Sequence, residues 1–219
     1  MKVYKFLSAR WAKEAIISEK LKVSILQNLN DPWDCNGIRF SNNTDRNRWT
    51  MEFNYLAQQW GMMSFSKSWT DPVLWSHYAD QHRGIVLGFE TSDETLFSVK
   101  YQDDLIPYDK FKLLNDDDKT NFFFGVISTK YTNWKYEDEV RVFTSLEVND
   151  EKSNHFFRKF DEDLLLREVI FGARYQNSEE MALILGHLRN HSKIKCWKAS
   201  LGNQKFTLSQ DKHWKYNTR

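Results

Sequence analysis

Few folds can accommodate residues 70–90, which read Thr70-Asp71-Pro72-Val73-Leu74-Trp75-Ser76-His77-Tyr78-Ala79-Asp80-Gln81-His82-Arg83-Gly84 and run straight into Ile85-Val86-Leu87-Gly88-Phe89-Glu90. Asp71 can accept from the first free N–H groups of a helix, and Pro72 suits the first helical position. Gly84 suits a left-handed stop. The apolar run after it is short enough for a buried strand, so the segment is expected to be one short helix feeding one strand. It also holds two histidines, a tryptophan, a tyrosine and an arginine, more binding chemistry than a core helix needs.

The rest of the chain alternates strand and helix patterns. Residues 3–7 alternate as a first strand, and Ser8 is placed to cap a helix running to about Lys20. A strand is expected at 21–26 and a turn at 28–34, because Pro32 disfavours helical geometry at Asp31. The polar run 42–48 reads as a loop, 49–60 as a helix with Met51, Tyr55, Leu56 and Trp60 at helical spacing, and 62–66 as a strand. Short extended pieces follow at 98–101 and 105–108, and the acidic run 115–118 reads as a solvated loop or helix start. Beyond it the patterns give a helix at 121–128, a strand at 136–143, a short helix at 161–167 and a strand at 169–172. Ser178 then opens a helix carrying Met181, Ile184, Leu185 and Leu188, and a hairpin spans 193–200 and 205–209 across Gly202-Asn203. With no repeat, proline-rich linker or composition break, the expectation is one α+β domain over 1–219, a mixed or split β-sheet flanked by helices.

Charge excludes some function classes. Lys and Arg number 31 against 30 for Asp and Glu, so bulk attraction to nucleic acid or an anionic membrane is not expected. No stretch approaches the roughly 20 apolar residues of a membrane span, and the opening Met1-Lys2-Val3-Tyr4-Lys5-Phe6 lacks a secretory apolar core; a cytoplasmic setting is expected. Cys35 and Cys196 have neither C-x-x-C partners nor a second Cys/His pair at zinc spacing, so reduced structural thiols and no metal centre are expected. The nine tryptophans, nine tyrosines and sixteen phenylalanines are so many that some should line a surface groove. There is no G-x-G-x-x-G, no phosphate-binding loop and no G-x-S-x-G elbow, which disfavours Rossmann redox chemistry, ordinary nucleotide hydrolysis and serine esterases.

The strand expected at 136–143 carries the densest chemistry. Residues two apart share a face, so Glu137, Glu139 and Arg141 would project together while Tyr136, Val140 and Val142 face the core. On a wet face these are neighbouring charges of little energetic weight. In a cleft, two adjacent carboxylates push one pKa up while Arg141 holds the other ionised, which makes an acid and a base from like residues. On the helix, Trp75, Tyr78 and His82 would form one stripe and His77 would point elsewhere; either histidine could carry a proton near neutrality. Lysines and tryptophans interleave from Lys193 to Lys215, a pattern that could stack on single-stranded nucleic acid but more often describes half-buried strands with wet lysines.

Tyr4-Lys5-Phe6, Asn30-Asp31-Pro32, Ser64-Phe65-Ser66, the block Trp75-Ser76-His77-Tyr78-Ala79-Asp80-x-His82-x-Gly84, Trp134-x-x-Glu137-x-Glu139-x-Arg141 and Glu168-Val169-Ile170-x-Gly172 together resemble the bacterial family catalogued as domain of unknown function 2971. That resemblance implies a soluble bacterial protein and a loose association with defence or toxin contexts, and it supplies positions without a reaction. The order of parts is also similar, more distantly, to the ADP-ribosyltransferase fold, which grips NAD in a split β structure and uses a late-strand glutamate to stabilise the ribosyl cation. By that similarity Glu139 or Glu137 would be this glutamate, and Ser66 or Tyr78, with Tyr4 and Lys5 of the first strand, would flank the nicotinamide. Lys5 stands where that fold usually has arginine or histidine. His77 would act with the glutamates, while Asn30, Asp31, Trp75, His82 and Arg141 would bind or shape the substrate. The expected substrate is NAD, a small nucleotide, with a nucleic acid or protein acceptor. Two alternatives remain: a nuclease using His77 and the glutamates, and a non-catalytic ligand-binding sensor.

Overall fold

The computed structural model describes residues 1–146, 149–150 and 155–215, and the side chains of all of these except 116–117 and 149–150. The chain runs β1 (Lys2–Leu7), α1 (Ala9–Ser18), β2 (Lys20–Ile25), β3 (Ile38–Arg39), α2 (Asn43–Ala57), β4 (Trp60–Ser66), α3 (Pro72–Tyr78) and β5 (Ile85–Thr91). Next come β6 (Phe97–Ser98), β7 (Lys100–Gln102), β8 (Ile106–Pro107), α4 (Asp109–Lys112), α5 (Asp116–Val126), β9 (Thr129–Tyr131) and β10 (Glu139–Ser145). The remainder is β11 (Asn149–Asp150), β12 (His155–Lys159), β13 (Leu164–Phe171), α6 (Ser178–Leu188), β14 (Lys195–Leu201) and β15 (Leu208–Gln210). The mixed α and β architecture matches the expected class.

Two compact units interleave along the sequence. The first comprises Met1–Leu21, Phe65–Thr95 and Arg158–Arg219; the second comprises Lys22–Ser64 and Leu96–Phe157.

In the first unit β1 lies antiparallel to β5 from Lys2↔Glu90 to Leu7↔Ile85, and Tyr4 faces Ser66 on its other side. β5 is antiparallel to β13, β13 is parallel to β14, and β14 is antiparallel to β15. A parallel pair needs a crossover, and α6 supplies it. β5 is buried on both faces except at Glu90, as its continuous apolar run requires. Asp71 caps α3 as expected, with Oδ1 accepting from Val73 N at 2.7 Å and Leu74 N at 3.4 Å.

The end of that helix differs from the expectation. α3 stops at Tyr78, and Asp80, Gln81 and His82 take the left-handed conformation instead of Gly84. Gly84 is needed for space: a Cβ there would lie 2.1 Å from Leu7 O and 2.8 Å from Ala79 O. The carbonyl of Ala79 accepts from Gly84 N at 2.8 Å, and this tight closure delivers the chain into β5.

In the second unit β2 and β4 pair antiparallel through Ser24↔Met62, β10 pairs with β4 and β6, and β3 with β8 and β7 with β9 form two parallel pairs. Trp49 anchors its core, with edge-to-face contacts to Phe111 at 5.5 Å and Phe122 at 6.2 Å. Most of the aromatic surplus is consumed in such packing, while Trp33, Tyr55 and Tyr131 remain exposed.

Several expected elements shift for physical reasons. The polar run 42–48 is helical, because Asn42 caps α2 by accepting from Asp45 N at 2.9 Å and starts the stripe Asp45, Trp49, Phe53 and Ala57. The helix expected at 161–167 is instead a turn leading into β13, since pairing with β5 gives Leu164 and Leu166 buried places on a sheet. Asn177, not Ser178, caps α6. Ser8 occupies the cap position of α1 without a side-chain bond. Among the described residues no helix is long and apolar enough to cross a membrane.

Candidate functional site

The acidic residues singled out in the sequence do meet, by a route that differs from a simple strand. Residues Thr132–Glu137 form a turn of 3-10 helix, Asp138 takes φ 42°, and only Glu139 begins β10. Asp is one of the few residues that tolerate that backbone. Glu137, Glu139 and Arg141 are buried, so neither a wet ledge nor an open one describes them.

Two residues missed in the sequence complete the cluster. Lys130 Nζ, on β9, lies 2.6 Å from Glu137 Oε2, 3.1 Å from Glu139 Oε2 and 3.6 Å from Asp34 Oδ2. Arg141 donates from Nε to Glu139 Oε1 at 2.8 Å and from Nη2 to both oxygens of Asp34 at 2.8 and 3.0 Å. Its Nη1 bonds the Ile127 carbonyl. Trp134 lies under the Lys130 ammonium at 4.9 Å. Three carboxylates therefore face two cations in a buried setting, where unpaired charge would be costly.

The electrostatics follow from this pairing. Burial works to raise the Glu139 carboxyl, but the Arg141 guanidinium, Lys130 and a hydrogen bond from Ser64 overcome it and hold the group at about 2. Burial opposes the charge on Lys130, yet Glu139, Asp34 and Glu137 hold its ammonium well above the usual lysine range. The Glu139 N–H donates to Tyr101 Oη at 2.8 Å, and burial pushes that phenol up to about 12. Glu139 is thus a fixed anion and not the acid partner of a raised and lowered pair.

A cavity of about 390 Å³ adjoins the cluster and shares Lys130 with it; Asp31, Trp33, Asp103, Asp104 and Tyr131 also line it. The Asp31 side chain accepts from Trp33 N at 2.9 Å, which holds the turn expected there. Asn30 beside it is exposed.

The remaining expected residues fall in the first unit. Tyr4 is buried opposite Ser66 and Gly88, and burial followed by the Glu168 carboxylate holds its phenol well above the usual tyrosine range. A Cβ at Gly88 would lie 2.9 Å from Glu168 Cβ and 3.1 Å from Tyr4 Cε1, so glycine permits this close approach. Lys2 donates to Glu168, and Lys5 Nζ lies 5.8 Å over the Phe65 ring.

Trp75 is a core residue and not a pocket wall. It is fully buried, donates from Nε1 to Trp69 O at 2.6 Å, and meets Phe6 edge-on at 5.5 Å. The expected helical stripe is also corrected, because His82 lies beyond α3. Its N–H bonds Trp75 O at 3.1 Å and its ring stacks on Trp75 with planes 11° apart. Burial and then Arg174 lower its pKa. His77 is exposed and packs edge-on to half-buried Tyr78 at 5.9 Å.

Trp197 is buried against Trp69 and Trp214 packs on Phe171, which agrees with the half-buried-strand reading of this stretch and not with a stacking platform. Lys130 and Asp34 gave only weak sequence signals: a lysine among the polar residues Ser128-Thr129-Lys130-Tyr131-Thr132-Asn133 and a second aspartate in a polar turn. Nothing local announced that they converge on Arg141. No curated protein and no solved structure matches this chain. Residues 74–142, which run from within α3 through the Lys130 strand to just past Arg141, match the model of a family described as a protein of unknown function, DUF2971.

Proposed function

We propose that the chain is an NAD-consuming enzyme of the ADP-ribosyltransferase kind, with Glu139 steadying positive charge on the ribose as nicotinamide departs. One observation carries this reading: Glu139 is ionised, fixed by Arg141 and Lys130, and bonded to Ser64 of the Ser64-Phe65-Ser66 segment. A carboxylate that stabilises a transient cation works best when it is charged and oriented beforehand. In the reaction the ribose C1′–N bond breaks and its electron pair leaves with nicotinamide, neutralising the pyridinium ring. Water or an acceptor nucleophile then bonds C1′ and releases a proton. Lys130, the cation lining the adjoining cavity, would exchange one of its carboxylate partners for a substrate phosphate, and exposed Trp33 and Tyr131 are available to stack on a base.

A second reading, a ligand-binding module without turnover, is favoured by the pairing of all three carboxylates with Lys130 or Arg141. Incubating the full chain with NAD and following free nicotinamide separates the two. Turnover by the wild type, with a loss of about a hundredfold or more in folded Glu139→Gln, supports the enzyme. Wild-type protein that releases none overturns it; NAD binding weakened by Trp33→Ala would then support the module. Cleavage of a labelled oligonucleotide would instead favour the nuclease alternative.

A further inference from the structure

A second constellation lies in the first unit, among residues to which the sequence reading gave no role. His187, near the end of α6, and His191, in the turn that follows, are four positions apart. Their rings stack with centroids 5.7 Å apart and planes 25° apart. The His191 N–H bonds Leu188 O at 2.9 Å, which carries the helical curl past the end of α6 and keeps both imidazoles on one side. Glu19 joins them from the left-handed cap of α1, and one donor atom from each of the three lies within 4.8 Å of the others.

Surface carboxylates and imidazoles often gather without consequence, and two features set this group apart. First, the backbone is pinned. The Glu19 N–H bonds the carbonyl of Ile16, its own carbonyl accepts from Phe160 N at 2.7 Å, and Lys13 bridges α1 to Glu180 of α6 at 3.1 Å. Second, Nε2 of His187 is shielded from solvent and has no hydrogen-bond partner among the described residues. Leaving such an atom unsatisfied is unfavourable, and a metal bound by the ring would fix the tautomer or take the lone pair.

We propose that Glu19, His187 and His191 form a binding site for a divalent transition-metal ion of the zinc class. Two imidazoles and one carboxylate suit zinc and its first-row neighbours, whereas magnesium and calcium prefer oxygen donors. Around a tetrahedral ion with bonds near 2.1 Å, donors sit about 3.4 Å apart, so closure asks for side-chain rotation and no change of fold. All three residues line a cavity of about 400 Å³ that Arg167, Asn190 and Lys193 also line. Three protein ligands leave a coordination position for water or a small anion drawn from that cavity, as catalytic zinc sites do. The site is independent of the Glu139 cluster, and its test does not depend on NAD.

The experiment is calorimetric titration of the chelator-treated full chain with zinc chloride. The expected result is one high-affinity ion per chain, undisturbed by millimolar magnesium. A hundredfold or greater loss is expected in His187→Gln with His191→Gln, a smaller loss in Glu19→Gln, and no change in His213→Gln, which alters an exposed histidine elsewhere. Cobalt substitution in the wild type provides a second readout that needs no variant. Tetrahedral d–d bands without thiolate charge transfer support the site. Millimolar affinity, a thiolate band, or zinc binding retained by the folded double variant would overturn it.

Discussion

Arg141 grips Asp34 through both carboxylate oxygens, at 2.8 and 3.0 Å, although 107 positions separate them in the chain. With Arg141 fully buried, truncating it leaves Lys130 as the one remaining cation of the cluster against Asp34, Glu137 and Glu139. Arg141→Ala should therefore lower unfolding free energy by about 3–5 kcal/mol. Urea unfolding followed by tryptophan fluorescence checks this; a loss under about 1 kcal/mol would mean that water reaches the cluster.

The same cluster sets the response to acid. Glu139 titrates at about 2 in the folded chain against about 4.3 in an unfolded one, so the unfolded state binds more protons in between. Its stabilisation is complete above the unfolded value and drains away as pH falls through the folded one. Melting temperatures measured from pH 6 down to 2 should drop most steeply below about 4.3, and Glu139→Gln should flatten that slope. Lys130 acts at the other end: its raised pKa gives stabilisation that is whole below the unfolded lysine value and lost as pH climbs beyond it.

Two glycines are required by neighbouring backbone. A Cβ on Gly84 would sit 2.1 Å from Leu7 O, and one on Gly172 would sit 2.1 Å from His82 O. Carbonyls inside a sheet and its closing turn cannot retreat as a side-chain tip can, so Gly84→Ala and Gly172→Ala should each cost about 3 kcal/mol or more. Gly125, in α5, faces open space, and Gly125→Ala should gain roughly 0.5 kcal/mol. Thermal denaturation of the three variants tests the contrast.

Both thiols should be sluggish. Burial pushes Cys35 up to about 12, with Arg141 opposing it, and burial alone pushes Cys196 up to about 11. The reactive form is the thiolate, so native protein at pH 8 should label with a disulfide reagent far more slowly than a free thiol. After addition of urea two equivalents should react promptly. Fast labelling of the native chain would contradict the packing around Cys35.

What the sequence made legible was local. Asp71 and Pro72 announced the start of α3 because a cap and a proline act within one turn. Alternation announced β1 and the end of β4. The failures came wherever distant partners decide. Leu164-Leu165-Leu166 reads equally as helix or strand until β5 lies beside it, and Asn42–Arg48 looks like a loop until Trp49 and Phe53 find their aromatic neighbours. Glu137, Glu139 and Arg141 were singled out by a period of two, but Asp138 breaks that period. They meet through Lys130 and Asp34, contributed by segments whose sequences carry no sign of the encounter. His187 and His191 show four-residue spacing, yet the third member, Glu19, comes from the opposite end of the chain.

The three-segment composition of the first unit also governs how a growing chain can mature. Until β13 has left the ribosome, β5 has β1 on one flank and nothing on the other. A strand of seven mostly apolar residues then displays bare amide and carbonyl groups to every chain nearby. This half can therefore close only once β13 has emerged, and fragments ending short of β13 are the forms most prone to clump.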